Sequence, residues 1–224
     1  MIWLYALTDN PMAELPDIAG HGANPLGQTC TDELAGIWSS WSPDRPGASN
    51  HEALWHQEAV LEALMCDRAV LPLRYGTVLE GVDELRSMMI GRQVQWRRAL
   101  DRVRGCVELG VRASSKPVAS EPVPGPSGES GADYLRRRGA ERERADAVAG
   151  AVHTPLAEIA STCDTNLRAA VSPVFAASYL VPESELDRFK GVVRQLATDH
   201  PELAIVCTGP WPPYSFVDDE APEA

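Results

Sequence analysis

The chain has 224 residues, enough for one large domain or two small ones, and 44% of them are hydrophobic, an ordinary share for a globular protein with a real core. Its formal net charge of −12 argues against a general nucleic-acid binder, which needs a basic surface to recruit phosphates, and offers no attraction to anionic membranes. No uninterrupted apolar run approaches the roughly 18 residues of a membrane span. Met1-Ile2-Trp3 leads directly into a strand pattern, with neither a basic leader nor a small-residue cleavage site, which points away from secretion. The cysteines, Cys30, Cys66, Cys106, Cys163 and Cys207, are odd in number and scattered. They indicate no disulfide framework and no clustered zinc site, so the expected compartment is the reducing cytoplasm.

In chain order, residues 2–7 read as a strand that stops at Asp9-Asn10-Pro11. A Gly/Pro/Asn-rich stretch follows, with a short strand around 26–30, and 34–41 reads as a second main strand. Ser49, three residues before Glu52, marks the start of an amphipathic helix by the spacing of a capping box. On the helical wheel Ala53, Leu54, Val60, Leu61, Leu64 and Met65 share one arc with Gln57 inside it, so this face needs a sheet to cover it. The pattern breaks at Cys66-Asp67. The run 69–73 then supplies a strand, expected at a sheet edge because Pro72 has no ladder donor. A helical segment spans 82–104, divided near Gly91, and 107–113 reads as the strand that closes the first domain.

Composition then changes. Residues 114–130 carry four prolines and no aromatic residue. Such a stretch buries too little surface to offset its ordering entropy, which makes it a flexible linker and the expected domain boundary. A long charged helix over 132–149 continues past a kink at Pro155. Two strands, 167–171 and 174–181, surround a Ser172-Pro173 turn. A helix from Ser184 has the stripe Leu186, Phe189, Val193 and Leu196, and 203–208 is the last strand, ended by Gly209-Pro210. The order strand, strand, helix, strand describes both 2–76 and 166–208, the element pattern of a split βαβ or ferredoxin-like sheet. The fold class is therefore α+β, with two domains, each a small, mostly antiparallel sheet with helices packed on it. The boundaries are 1–113 for the first domain, 114–130 for the linker, 131–216 for a ferredoxin-like second domain with a leading helix and an aromatic tail, and 217–224 for a disordered acidic end.

Three motifs carry a family resemblance. HEALWHQEAVLEALMCDRAVLPLRYGTVLEGVDEL at 51–85 resembles the central signature of the gas vesicle GvpL/GvpF family, LAIVCTGPWPPYSF at 203–216 its closing motif, and Ile2-Trp3-Leu4-Tyr5-Ala6 its aromatic first strand. The resemblance implies two α+β domains, the second a variant ferredoxin-like fold. It also implies an accessory or minor structural protein of gas vesicles, the gas-filled protein shells that give microbes buoyancy. The implied partners are the small, very hydrophobic major shell protein and other accessory proteins of the assembly, and the implied location is the gas vesicle within the cytoplasm. The motifs do not separate an F-type from an L-type role. A rival from another class is a small-molecule-binding regulatory module, because paired ferredoxin-like domains often bind ligands.

The residues themselves indicate no enzyme, no cofactor and no metal. His51 and His56 flank Glu52, but they are five apart, about 140° around the helix, whereas a zincin helix needs histidines four apart on one face. No P-loop, dinucleotide-binding glycine pattern or nucleophile elbow is present. The Arg136-Arg137-Arg138 run reads as a solvated, salt-bridged face. Two places remain as structural or partner-contact motifs. Leu73, Arg74 and Tyr75 end a buried strand, where Arg74 either ties strand to loop or meets a partner. Trp211, Tyr214 and Phe216 are spaced by a stiff Pro-Pro, which suits docking back onto the 73–75 region or the domain junction, or engaging an apolar partner.

Overall fold

The computed structural model describes residues 1–43, 50–116, 131–165 and 175–217. It divides into two compact units, residues 1–108 with the segment from Pro210 onward, and residues 109–209. Among the described residues no helix is long and apolar enough to cross a membrane.

The first unit is built on β1 (Ile2–Thr8), β2 (Leu26–Cys30), β3 (Ala35–Ser40), α1 (Asn50–Met65), β4 (Val70–Pro72), β5 (Val78–Leu79), α2 (Val82–Gly91) and α3 (Gln93–Val103). Its sheet has the order β2-β3-β1-β4, with β5 also pairing β1. All seven residues of β1 are buried, so both faces of this strand are covered. One face carries Trp3, Tyr5 and Ile37 against Val60, Leu61 and Leu64 of α1. The other receives α2, whose Leu85 lies so close over Gly36 that a Cβ there would sit 2.9 Å from Leu85 Cδ2. Helices thus lie on both faces of this sheet.

The register of β1 against β3 shifts between Leu4 and Ala6, leaving Tyr5 as the extra residue of a bulge. Its phenol shares a 2.8 Å hydrogen bond with Ser39 Oγ and accepts one of 2.5 Å from the His21 backbone N–H. Gly27 pairs with Trp38 on the edge of the sheet, and the indole lies where a Cβ at 27 would be. The ring thus packs the surface that glycine leaves bare. Pro72 sits in β4, the other end of the sheet order, where a missing donor is harmless.

The second unit contains β6 (Cys106–Ser115) from Leu109, α4 (Gly131–Ala157), β7 (Thr162–Asp164), β8 (Phe175–Pro182), α5 (Leu186–Asp199) and β9 (Leu203–Trp211) as far as Gly209. The element order βαββαβ with sheet order β7-β8-β6-β9 is the ferredoxin-like arrangement. Alternate residues Leu109, Val111 and Ala113 of β6 face Ala177, Tyr179 and Val181 of β8, together with Val152 and Leu156 of α4 and Phe189, Val193 and Leu196 of α5. One covered face per strand is what this alternation encodes.

Two sequence expectations are corrected, and a third lies outside the described residues. The strand at 107–113 does not close the first sheet but forms an inner strand of the second, so residues 117–130 connect β6 to α4 rather than one sheet to the other. The strand opposite β8 is β7, paired as Thr162↔Leu180 to Asp164↔Ser178. The expected 167–171 strand lies outside the described residues, as do 117–130 and 218–224. Finally, Gly209-Pro210 does not end the last strand, which runs on to Trp211. β9 is an edge strand, where a proline is tolerated, and Gly209 takes up a positive φ of 106° that glycine adopts readily.

Candidate functional site

The first unit brings its most distant segments together on α1. Gln57, fully buried, directs Nε2 to the Leu73 carbonyl at 3.1 Å and to the Tyr214 phenol at 3.4 Å. The same phenol donates to Glu58 Oε1 at 3.0 Å. One residue on, the Ser215 backbone N–H and hydroxyl donate to the two oxygens of Glu108, at 2.8 and 2.7 Å. A 3₁₀ turn at Tyr214–Phe216 makes this possible, since Pro212 and Pro213 offer carbonyls that the Tyr214 and Phe216 N–H groups take up. Phe216 is buried. Trp211 is not: 41% of it remains exposed.

Between α1 and this tail lies an open groove of about 340 Å³ lined by Leu54, Trp55, Glu58, Glu108, Trp211, Pro212 and Tyr214. Leu54 and Trp55 are 44% and 62% exposed. Burial pushes the Glu58 carboxyl above its ordinary value; the Tyr214 hydrogen bond works against this and the charge of Glu62 adds to it. Its Oε2 is shut off from solvent without a hydrogen-bond partner among the described residues. Burial also raises the Tyr214 phenol, partly offset by Gln57, so it stays a neutral donor. The groove thus offers aromatic and aliphatic surface around one under-satisfied carboxylate.

The predicted motif residues separate. Leu73 is buried and joined through Gln57 to Tyr214. Arg74 is exposed. Tyr75 turns elsewhere, edge-on to Trp3 at 5.2 Å, and Trp3 in turn stacks on His21 at 4.6 Å. Trp211, Tyr214 and Phe216 belong with the first unit, not with the second to which the sequence reading assigned the tail. Sequence reasoning missed Leu54, Trp55, Glu58 and Glu108. Leu54 sits in the arc expected to be buried. The signals available were a tryptophan on the polar side of an amphipathic helix and a lone glutamate inside the apolar start of β6. Among the described residues no group of three or more His, Cys, Asp or Glu side chains is placed to hold a metal ion.

Comparison with known proteins gives this geometry a context. The family described as gas vesicle synthesis protein GvpL/GvpF matches residues 1–218. The chain belongs to the GvpL/GvpF family. Gas vesicle protein L of Streptomyces sp. (strain CB03234) is 33% identical over 178 residues, covering 71% of this chain and 66% of that relative. Gas vesicle protein F1 of Halobacterium salinarum (strain ATCC 700922 / JCM 11081 / NRC-1) is 25% identical over 220 residues, 97% of this chain and 92% of that one. The fold matches the crystal structure of the gas vesicle protein GvpF from Anabaena sp. PCC7120, with a TM-score of 0.82 at 17% identity over 98% of this chain and 99% of that chain. GvpF from Microcystis aeruginosa superposes with a TM-score of 0.78 at the same 17% identity, covering 97% and 98% of the two chains. The GvpL/GvpF motifs now have physical assignments. The aromatic first strand is the fully buried β1, the 51–85 run builds α1 through the start of α2, and the closing motif is β9 with the tail that docks on α1.

Proposed function

We propose that this GvpL/GvpF protein is an accessory or minor structural protein that assists assembly of the gas vesicle shell, working in the cytoplasm where the vesicle forms. On this reading it binds the hydrophobic major shell protein and other accessory proteins and performs no catalysis. The family match over residues 1–218 carries the proposal. Physically, a protein that holds aggregation-prone apolar segments needs exposed apolar surface on a stable scaffold. The rings of Trp55 and Trp211, with Leu54, supply such surface.

Co-purification of the full chain with the major shell protein tests the proposal. Retention through a salt wash, with native mass spectrometry showing no bound metabolite, is the expected result. Failure to retain the shell protein, or a stoichiometric metabolite in the untagged protein, replaces this function with the regulatory ligand-binding one.

A further inference from the structure

We propose that the groove between α1 and the 211–214 segment is the docking site for an apolar peptide segment of a partner protein that carries a lysine or arginine, the cation pairing with the Glu58 carboxylate, whose covered Oε2 turns toward the groove to meet it. The inference rests on the assembly function above and names the surface and the chemistry that it uses.

Two kinds of surface meet in this groove. Trp55, Leu54 and Trp211 leave large apolar area in water beside one another, the composition of an interface anchor rather than of an ordinary acidic surface. At their centre the two carboxylates differ. Glu108 spends both oxygens on Ser215, whereas Glu58 spends one on Tyr214 and leaves Oε2 covered and without a partner among the described residues. A covered carboxylate oxygen is costly until a donor reaches it, and a charged donor repays most. The raised proton affinity of Glu58 reports the same cost.

Charge selects among occupants. The chain's own continuation, Asp218-Asp219-Glu220, is acidic and would bring like charge to Glu58 and Glu108. A second copy, with net charge −12, faces the same long-range repulsion. An apolar segment with one cation meets both demands of the groove.

The test uses the full chain and fluorescently labelled synthetic peptides of one amphipathic helical sequence with a leucine face. One peptide carries a single lysine beside that face, and its twin carries norleucine there. The lysine peptide is expected to bind about tenfold tighter, the size of one charge-assisted contact in a partly desolvated groove. Glu58→Gln keeps the acceptor for Tyr214 and should erase that tenfold difference. Trp55→Ser should weaken both peptides equally. Equal binding of the two peptides, a lysine preference that survives Glu58→Gln, or no binding of either overturns the inference. Shell-protein capture by the same variants separates it from the assembly function. Capture by the parent and equally by both variants overturns the groove alone. No capture by the parent, with lysine discrimination intact, overturns the assembly function and leaves the groove standing.

Discussion

Glu58 shows how a single side chain can trade stability for binding. Its folded-state proton affinity is raised, chiefly by burial. Such a group adds most to stability below its ordinary value of 4.5, and the contribution is lost as pH rises through the higher folded value, because the unfolded chain releases its proton first. Glu58→Gln removes the ionisation but keeps the oxygen that Tyr214 needs. Urea unfolding should therefore find the variant more stable than the parent at pH 7, with the gap closing below pH 4.5. A variant less stable than the parent at pH 7 would mean that Oε2 of the ionised carboxylate also has a partner in the folded chain. A residue that weakens the fold yet strengthens a contact is the signature of a functional position. Tyr214→Phe tests the neighbouring bond: it should cost about 1.5–3 kcal/mol, the net worth of a hydrogen bond to a charged acceptor. Little of this was legible in the sequence, where Glu58 is one acidic residue among many on a helix. Its environment is set by Tyr214, 156 positions away, and no local pattern encodes that distance.

At the scale of elements, the tail and the sheet make separate demands. The sequence reading treats Trp211, Tyr214 and Phe216 as one aromatic group, but the 3₁₀ turn divides it. Phe216 is buried and Trp211 remains 41% exposed. Phe216→Ala should lower stability by about 3 kcal/mol, as a core aromatic truncation does. Trp211→Ala should cost less than about 1 kcal/mol, the range of surface changes. Parallel thermal melts decide this, and equal losses would show that Trp211 is also a structural anchor. Across the sheet, Gly36→Ala would press a methyl into Leu85 and should cost about 1–3 kcal/mol as overpacking between β3 and α2. The elements themselves were legible where period and punctuation agreed. The break at Gly91, the 26–30 strand and the edge position of Pro72 all follow from local residues. The end of β9 was misread because Gly-Pro normally stops a strand, and only an edge position with a positive-φ glycine lets the chain continue.

On the scale of the whole molecule, the sequence misleads through its most conspicuous feature. A proline-rich stretch after 113 looks like a seam between domains, yet the strand before it and the helix after it serve the same sheet. β6 lies between β8 and β9, so the second unit lacks an inner strand unless residues 109–116 are present. Contacts across the interruption tie it in: the Lys116 N–H donates to the Glu202 carbonyl at 2.9 Å, its ammonium to the Pro201 carbonyl at 2.8 Å, and Thr208 Oγ1 to the Gly110 carbonyl at 3.4 Å. Falling numbers on one strand meet rising numbers on the other, the mark of an antiparallel pair. The consequence can be tested with a specific protease site placed within 117–130. Cleavage should leave the two fragments eluting together in gel filtration, because separating them strips β6 from both neighbours and exposes the face of Leu109, Val111 and Ala113. The segment from 131 to the end, expressed by itself, should fail to fold, and adding the 1–116 fragment should restore a cooperative melt. Two fragments that part after cleavage and each melt cooperatively would restore the seam at 114–130 and remove β6 from the second sheet.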